Sequence, residues 1–324
     1  MSLAVGVIGA GVMGAEHARL LREDTRGAHL AAVCDADPGR AEAVAQGVAV
    51  YADPLALIAA VDAVVIASPD ATHADLALAC LAAGKPVLCE KPLGVTADDA
   101  FRVVQAEVAL GKRLVMTAYM RRFDPAYLAM RQARDRIGPA VMLHNIHRNA
   151  QAPDWFVGAM PITNSLVHEI DVSRWLLASE FAFARLILGP GGDPMQVILQ
   201  TASGVIASTE VFMNATYGYH VHAELVGRQG SVAMAQPSLT VENLNSQHGH
   251  GYPTNWVPRF AEAYRNQMNT FAHGVRTGSL PGATAWDGYA ATAVAEQIVP
   301  ALHHGQTVTL TLPPRPELYR QALP

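Results

Sequence analysis

Val5-Gly-Val-Ile-Gly-Ala-Gly-Val-Met-Gly14 is the stretch that decides the fold of this chain. Val5–Ile8 reads as a strand and Val12–Arg22 as a helix, so Gly9, Gly11 and Gly14 fall in the turn between them. Each glycine has a task. Gly9 makes the tight turn, Gly11 lets backbone approach a pyrophosphate, and Gly14 allows the helix to pack closely on the strand. Val12 and Met13 open the helix, whose N-terminus offers N–H groups and a positive dipole end to phosphate oxygens. Asp35 follows the second strand, Leu30–Cys34, about twenty residues on, where a carboxylate can bind the adenosine ribose hydroxyls. That carboxylate repels a 2′-phosphate, so the loop calls for NAD in preference to NADP, with Arg40 near enough to offset part of the repulsion.

Outward from this loop, short β-branched runs alternate with Ala/Leu-rich helical segments. Strands are expected at Ala63–Ala67, Val87–Glu90 and Leu114–Ala118, and helices at Pro38–Ala45, Ala74–Ala83 and Ala97–Leu110. Such alternation implies right-handed βαβ units and a parallel sheet covered on both faces. Gly84 and Pro86 punctuate one helix end, and Thr72 with Asp75 reads as an approximate capping box at the start of that helix. After Tyr119 the texture changes. Helices are expected at Asp124–Arg134 and around His168–Leu177. Strands follow one another at Ala140–His147, Leu186–Leu188, Met195–Gln200, Val205–Phe212, Tyr219–Val226 and Ser231–Ala235, a mostly antiparallel pattern. Asn243–Asn255 reads as a mobile loop, Trp256–Thr277 as one long helix, Ala285 as the start of another, and Thr307–Leu312 as a closing strand. The fold class is therefore α/β. A parallel-sheet domain covers residues 1–119, and an α+β domain with a large open sheet covers residues 120–324.

Composition narrows the function classes. A net charge of −5 without a long run of either sign gives no basic face for nucleic acid. No apolar segment reaches the ~20 residues needed to cross a bilayer. The start lacks a basic region leading into a signal-length apolar stretch, and Cys34, Cys80 and Cys89 each lie in or beside apolar runs without paired spacing. Inert buried thiols and a cytoplasmic location follow. The 13 histidines include the pairs His144/His147, His248/His250 and His303/His304, but no matching Cys/His set. His144 and His147 stand three apart on a strand and so point to opposite faces. No metal site is expected.

Glu90 and Lys91, in Val87-Leu-Cys-Glu-Lys-Pro92, end a parallel strand at the edge where open α/β sheets bind ligands, and a lysine there can hold a hydroxyl and stabilise developing negative charge. Taken with Gly9-Ala-Gly-Val-Met-Gly14, Ser68-Pro-Asp-Ala-Thr-His73 and Val167-His-Glu-Ile-Asp171, this element resembles the glucose–fructose oxidoreductase/inositol dehydrogenase (Gfo/Idh/MocA) family. Met120-Arg-Arg-Phe-Asp-Pro, Ile146-His-Arg-Asn, Tyr217-Gly-Tyr and Trp286-Asp-Gly-Tyr are similar to its inositol 2-dehydrogenase branch. The resemblance implies an N-terminal Rossmann domain that binds NAD, with Ser68, His73, Glu90 and Lys91 beside the cofactor. It also implies a C-terminal domain whose open sheet offers one face to a small polyol or sugar and the other to further copies, as a tetramer or dimer. Lys91 would hydrogen-bond the reacting hydroxyl, His168 would take its proton, and Arg121, His147, Asn149, Asp171 and Tyr289 would line the substrate site.

One position departs from the family pattern. Four residues before His168 the family has an aspartate; here stands Asn164. That spacing puts the two on one helix face, and an amide can still orient a ring nitrogen or bind a hydroxyl. It supplies no charge to raise an imidazole's basicity. Asp171, three residues beyond His168, is a better placed source of charge than Glu169. The expectation is an NAD-dependent dehydrogenase acting on a secondary alcohol. The rivals are a reductase of a related sugar or keto-inositol, and a catalytically silent NAD-binding regulator of the same fold.

Overall fold

In the computed structural model, which describes residues 2–235, 240–304 and 306–320, the glycine loop sits in a sheet of six parallel strands. The first unit runs β1 (Leu3–Ile8), α1 (Val12–Glu23), β2 (Ala28–Cys34), α2 (Pro38–Ala45), β3 (Ala49–Tyr51), α3 (Pro54–Ala60), β4 (Ala63–Ile66), α4 (His73–Ala82), β5 (Val87–Cys89), α5 (Ala97–Leu110) and β6 (Val115–Thr117). The strand order is β3-β2-β1-β4-β5-β6, so the chain reverses direction across the sheet between β1 and β4. Ligands of such sheets bind at that switch point, outside the carboxyl ends of the strands. All four residues of β4 and all three of β5 are buried, as expected of strands covered on both faces.

The β3–α3 unit was not expected, because three residues of strand give no period to read. The capping box is also corrected. Thr72 makes no side-chain cap to α4; its hydroxyl donates to the Pro69 carbonyl at 2.8 Å and shares a 2.6 Å hydrogen bond with Ser68, while Asp75 pairs with Arg102.

The second unit contains α6 (Pro125–Ala133), β7 (Ala140–Arg148), α7 (Val167–Leu177), β8 (Phe181–Leu188), β9 (Met195–Thr201), β10 (Ile206–Phe212), β11 (His220–Gly227) and β12 (Gly230–Ala233). With β15 (Val308–Thr309) these strands form a seven-stranded sheet, β12-β11-β7-β10-β9-β8-β15, antiparallel throughout except for the β7–β10 pair. Burial alternates residue by residue along β9, β10 and β11, so one face of the sheet is covered and the other is open. Helix α7 lies on the covered face. The Asn145 amide of β7 donates to Ser173 of α7 at 3.1 Å and to Thr209 of β10 at 3.2 Å.

Two expectations in this part of the chain are corrected. Residues 243–255 are not a plain loop: β13 (Glu242–Leu244) and β14 (Gln247–Gly249) pair as a hairpin. The long helix expected from Trp256 is broken at Phe260 into α8 (Trp256–Arg259) and α9 (Ala261–Thr277), where Phe260 leaves helical geometry just after Pro258. Residues 263–293, which carry most of α9 and of α10 (Ala285–Ile298), pack with the first unit, as do residues 312–320. The chain thus crosses back after building the second sheet.

Among the described residues no helix is long and apolar enough to cross a membrane. The three thiols are buried and unpaired, and burial raises all three, Cys80 to about 12.

Candidate active site

The glycine loop meets the requirements of a dinucleotide cradle atom by atom. Gly9 has φ +97°, and a Cβ there would lie 2.4 Å from the backbone of Ala67 and Ser68 at the end of β4. A Cβ on Gly14 would lie 1.8 Å from the Gly9 carbonyl oxygen, so the first turn of α1 rests directly on the loop. At Gly11 the same added atom would meet nothing within 4 Å. No side chain caps α1, and Val12 beside Gly11 is 68% exposed. An open, uncapped helix start beside a loop whose Gly9 and Gly14 leave no room for a side chain fits a pyrophosphate.

Asp35 closes this site from the end of β2. One carboxylate oxygen accepts the Ala10 N–H at 2.6 Å; the other accepts the Asp37 N–H at 2.8 Å and the Arg40 guanidinium at 3.0 Å. Partial burial raises the Asp35 carboxyl, but the Ala10 and Asp37 amides and then Arg40 outweigh it and hold the group below its usual range. An ionised carboxylate is therefore tied to the loop at the end of β2. Arg40 is spent on this pair. The expected outcome is a kcat/KM with NAD about 10-fold or more above that with NADP, measured at fixed substrate; an inverted ratio would contradict the role given to Asp35.

The ends of β4 and β5 are tied together by His73. Its two ring nitrogens lie 2.7 Å from the Pro92 carbonyl and 2.8 Å from the Ser68 carbonyl, and the side chain is buried. Both nitrogens are thus committed to backbone, and His73 braces the loops that carry Ser68 and Lys91 instead of reaching outward. Glu90 is likewise internal. One oxygen pairs with His17 at 2.9 Å, and the other accepts the Lys91 N–H at 3.2 Å. Burial would raise this carboxyl, but the His17 hydrogen bond and charge, with Lys91 and His73, hold it ionised below its ordinary value. Lys91 is partly exposed, on a cis peptide to Pro92. Tyr289 packs between Phe101 and Trp286, with ring centroids at 4.8 and 5.2 Å, inside the hydrophobic core of the first unit.

In the second unit the site residues gather around α7. Every residue of this helix is buried except His168, which is partly exposed. The preceding turn, Pro161–Leu166, is a π-helix, a form found often at functional sites. It carries Asn164, also partly exposed, whose amide oxygen accepts from the Thr163 hydroxyl at 2.8 Å. Asn149 continues the backbone ladder past β7 through bonds to Phe212 and Ala215, and its side chain is partly exposed.

The acidic residues sort opposite to expectation. Asp171 is fully buried and receives Arg122 through both oxygens at 2.9 and 2.5 Å, so it anchors the helix. Glu169, set aside from its helical position, is the one that reaches His147. It is fully buried, ion-paired with Arg121 and bonded to His147 Nδ1 at 2.9 Å. Burial raises its carboxyl, and the Arg121 charge followed by His147 outweighs that and keeps it ionised. Arg121 itself is buried under Phe260, 5.6 Å from the ring centroid, so it too is part of the frame. The His147 ring stands 6.5 Å from His168 and 6.1 Å from Tyr219, centroid to centroid.

The Arg121–Glu169–His147 chain was missed in the sequence. The adjacent arginines of Met120-Arg-Arg-Phe and the two acids of Val167-His-Glu-Ile-Asp171 were its only trace. His144 and His147 do point to opposite faces of β7, one exposed and one buried. Among the described residues no group of three or more His, Cys, Asp or Glu could hold a metal ion, and the side chains of His303 and His304 lie outside those described.

Comparison with known proteins agrees with this architecture. Residues 3–119 match an oxidoreductase family described by its NAD-binding Rossmann fold, and residues 115–310 match the C-terminal alpha/beta domain of the same family. The chain is 49% identical to inositol 2-dehydrogenase 1 of Saccharopolyspora erythraea, with 98% of this chain and 99% of the relative covered. It is 39% identical to inositol 2-dehydrogenase of Agrobacterium fabrum, covering 99% and 100%. The crystal structure of myo-inositol dehydrogenase from Lactobacillus casei, in complex with NAD(H) and myo-inositol, superposes with a TM-score of 0.94 at 29% identity, over 99% of this chain and 100% of that one. With a dinucleotide cradle in the first unit, a histidine-bearing helix in the second and both domain patterns matched in order, the chain belongs to the Gfo/Idh/MocA family of NAD-dependent oxidoreductases.

Proposed function

We propose that the protein oxidises a secondary alcohol of a cyclic polyol, with inositol as the nearest substrate class and the hydroxyl at its carbon 2 as the reacting group. The observation that carries this reading is likeness over the full chain to inositol 2-dehydrogenases, 49% and 39% identical in the two cases above. NAD, when bound, supplies the hydride acceptor. The chain's own residues do the rest. Lys91, partly exposed at the end of β5, donates a hydrogen bond to the reacting oxygen and stabilises the negative charge that builds there. His168, the accessible residue of α7, takes the hydroxyl proton. Asn164 and Asn149, both partly exposed, hold neighbouring hydroxyls by hydrogen bonds.

The test is a panel of inositols and aldoses incubated with NAD while the absorbance of reduced cofactor is followed. Turnover strongest on an inositol is expected. Turnover only on aldoses, or only in the reducing direction, would move the protein to the related reductases. Cofactor binding without turnover in either direction would make it a silent NAD-binding regulator.

The open face of the seven-stranded sheet carries Met142, Ile146, Ile198 and Phe212, each only partly covered within the chain. We assign this face to contact with further copies of the chain. Sedimentation is expected to return a tetramer or dimer, and a monomer at micromolar concentration would contradict it.

A further inference from the structure

Glu90 is a buried carboxylate with no part in the proton and hydride steps, yet it stands beside Lys91 in the chain. Its Oε1 lies 2.9 Å from His17 Nε2, and its Oε2 accepts the Lys91 main-chain N–H at 3.2 Å. A carboxylate held ionised can only accept, so His17 donates through Nε2. The Glu90 main chain is fixed as well, its N–H donating to the Ile66 carbonyl at the end of β4 at 2.9 Å. His17 stands on α1, one turn beyond Gly14. It is fully buried, with the ring of Tyr264 of α9 edge-on at 6.1 Å between centroids. One carboxylate thus joins the helix of the dinucleotide cradle to the lysine that serves the reacting oxygen.

The titratable groups facing Glu90 are His17 from α1, His73 from α4, Lys91 beside it and the Cys89 thiol of β5. Burial by itself would return a proton to this carboxyl. It stays below its ordinary value because His17, by hydrogen bond and charge, and then the charges of Lys91 and His73 hold it ionised. The interaction between two charges is shared. Whatever the Lys91 cation does to keep Glu90 deprotonated, Glu90 does to keep Lys91 protonated. Protonation is what Lys91 needs, since the ammonium carries the charge that steadies a forming alkoxide and the free amine carries none.

We propose that Glu90 is a positioning residue of the reaction: seated by His17, it fixes the Lys91 main chain and holds the Lys91 side chain in its cationic form. For the oxygen that Lys91 serves, this rests on the polyol-dehydrogenase reading; for the pairing of Glu90 with Lys91 it does not. Glu90 acts through Lys91 alone.

Two measurements test this. Lys85, Lys91 and Lys112 are the only lysines of the chain, so NMR of ¹³Cε-lysine-labelled protein gives three signals, and Lys91→Met assigns one of them. Glutamine at position 90 can keep both contacts, its oxygen on the Lys91 N–H and its amide hydrogens toward His17. Glu90→Gln therefore removes charge and little shape. In that variant the Lys91 titration midpoint is expected to fall by about one pH unit, a change of about tenfold in proton affinity. A midpoint within about 0.3 unit of wild type overturns the proposal. Kinetics of inositol oxidation supply the second readout. The alkaline limb of kcat/KM is expected to move down by about the same interval in Glu90→Gln. An unmoved limb with a uniform loss at every pH, the mark of a merely structural role, overturns the proposal.

Should Glu90→Gln fail to fold, the wild type and Glu90→Asp, which keeps the charge on a shorter stem, decide. Both are expected to hold Lys91 protonated from about pH 6 to about pH 8, and a wild-type Lys91 that is neutral within that range overturns the proposal. Should the wild type turn over no polyol, the function reading fails while the lysine spectra still decide the pairing of Glu90 with Lys91.

Discussion

Lys91→Met is expected to cost about 10²- to 10³-fold in kcat while leaving NAD affinity within about threefold of wild type. Methionine fills a similar volume without the ammonium, so the variant removes a charge and a donor and little packing. Glu90 would lose one of the charges that hold it ionised, but it keeps the 2.9 Å bond to His17, and His73 still braces the Ser68 and Pro92 carbonyls. The strand end should therefore stand in place with only the reacting oxygen deprived of its partner. His168→Ala, which removes the group proposed to take the proton, is expected to lower kcat by about 10²- to 10⁴-fold. Steady-state kinetics with inositol, paired with a fluorescence titration of reduced NAD, separates loss of chemistry from loss of binding. Turnover of either variant within threefold of wild type would remove that residue from the mechanism.

Gly14→Ala has the second large effect, and it acts through the fold. The new methyl would lie 1.8 Å from the Gly9 carbonyl oxygen, and the obstacle is backbone, so no rotamer relieves it. Helix α1 must lift from the loop, at a cost of about 1–3 kcal/mol or more by analogy with overpacked cores. The helix start and the loop then no longer face a pyrophosphate together. NAD affinity is expected to drop by about 100-fold or more, with a lower Tm. Gly11→Ala is the informative contrast. Its methyl meets nothing within 4 Å, so Tm should stay, and a loss of NAD affinity is expected from the methyl's standing where the backbone would approach a pyrophosphate. Equal Tm loss in the two variants would contradict the division of labour among these glycines.

Local pattern was a good guide to the first unit because its signals are local. The glycine register, the fully apolar β4 and β5, and the helix starts at Asp37 and Thr96, whose side chains accept from the first-turn amides, all lie within a few residues of what they determine. What escaped reading depends on partners distant in the chain or on turns without a distinctive composition. Residues 263–293 return to the first unit with nothing in their own pattern to distinguish them from a helix of the second. The β13–β14 hairpin turns through Asn245 and Ser246, both at positive φ, in a stretch whose polar composition matches any loop.

The site divides the same way. Motif spacing is what singles out Lys91, His168 and the glycines in the sequence. Helical position alone ranked Asp171 above Glu169 as the charge for the histidines. The structure reverses that order because Arg122 claims Asp171 and Arg121 points Glu169 at His147. Pairing across 48 and 49 residues of chain has no local signature.

The central claim, hydride transfer from a carbinol carbon of a cyclic polyol to NAD, is tested most directly with myo-inositol deuterated at carbon 2. After incubation of the wild-type protein with this substrate and NAD, mass spectrometry of the reduced cofactor should show one deuterium gained, on the nicotinamide ring, with a matching amount of ketone formed. Reduced cofactor without deuterium, or no reduced cofactor from any inositol, would contradict the account.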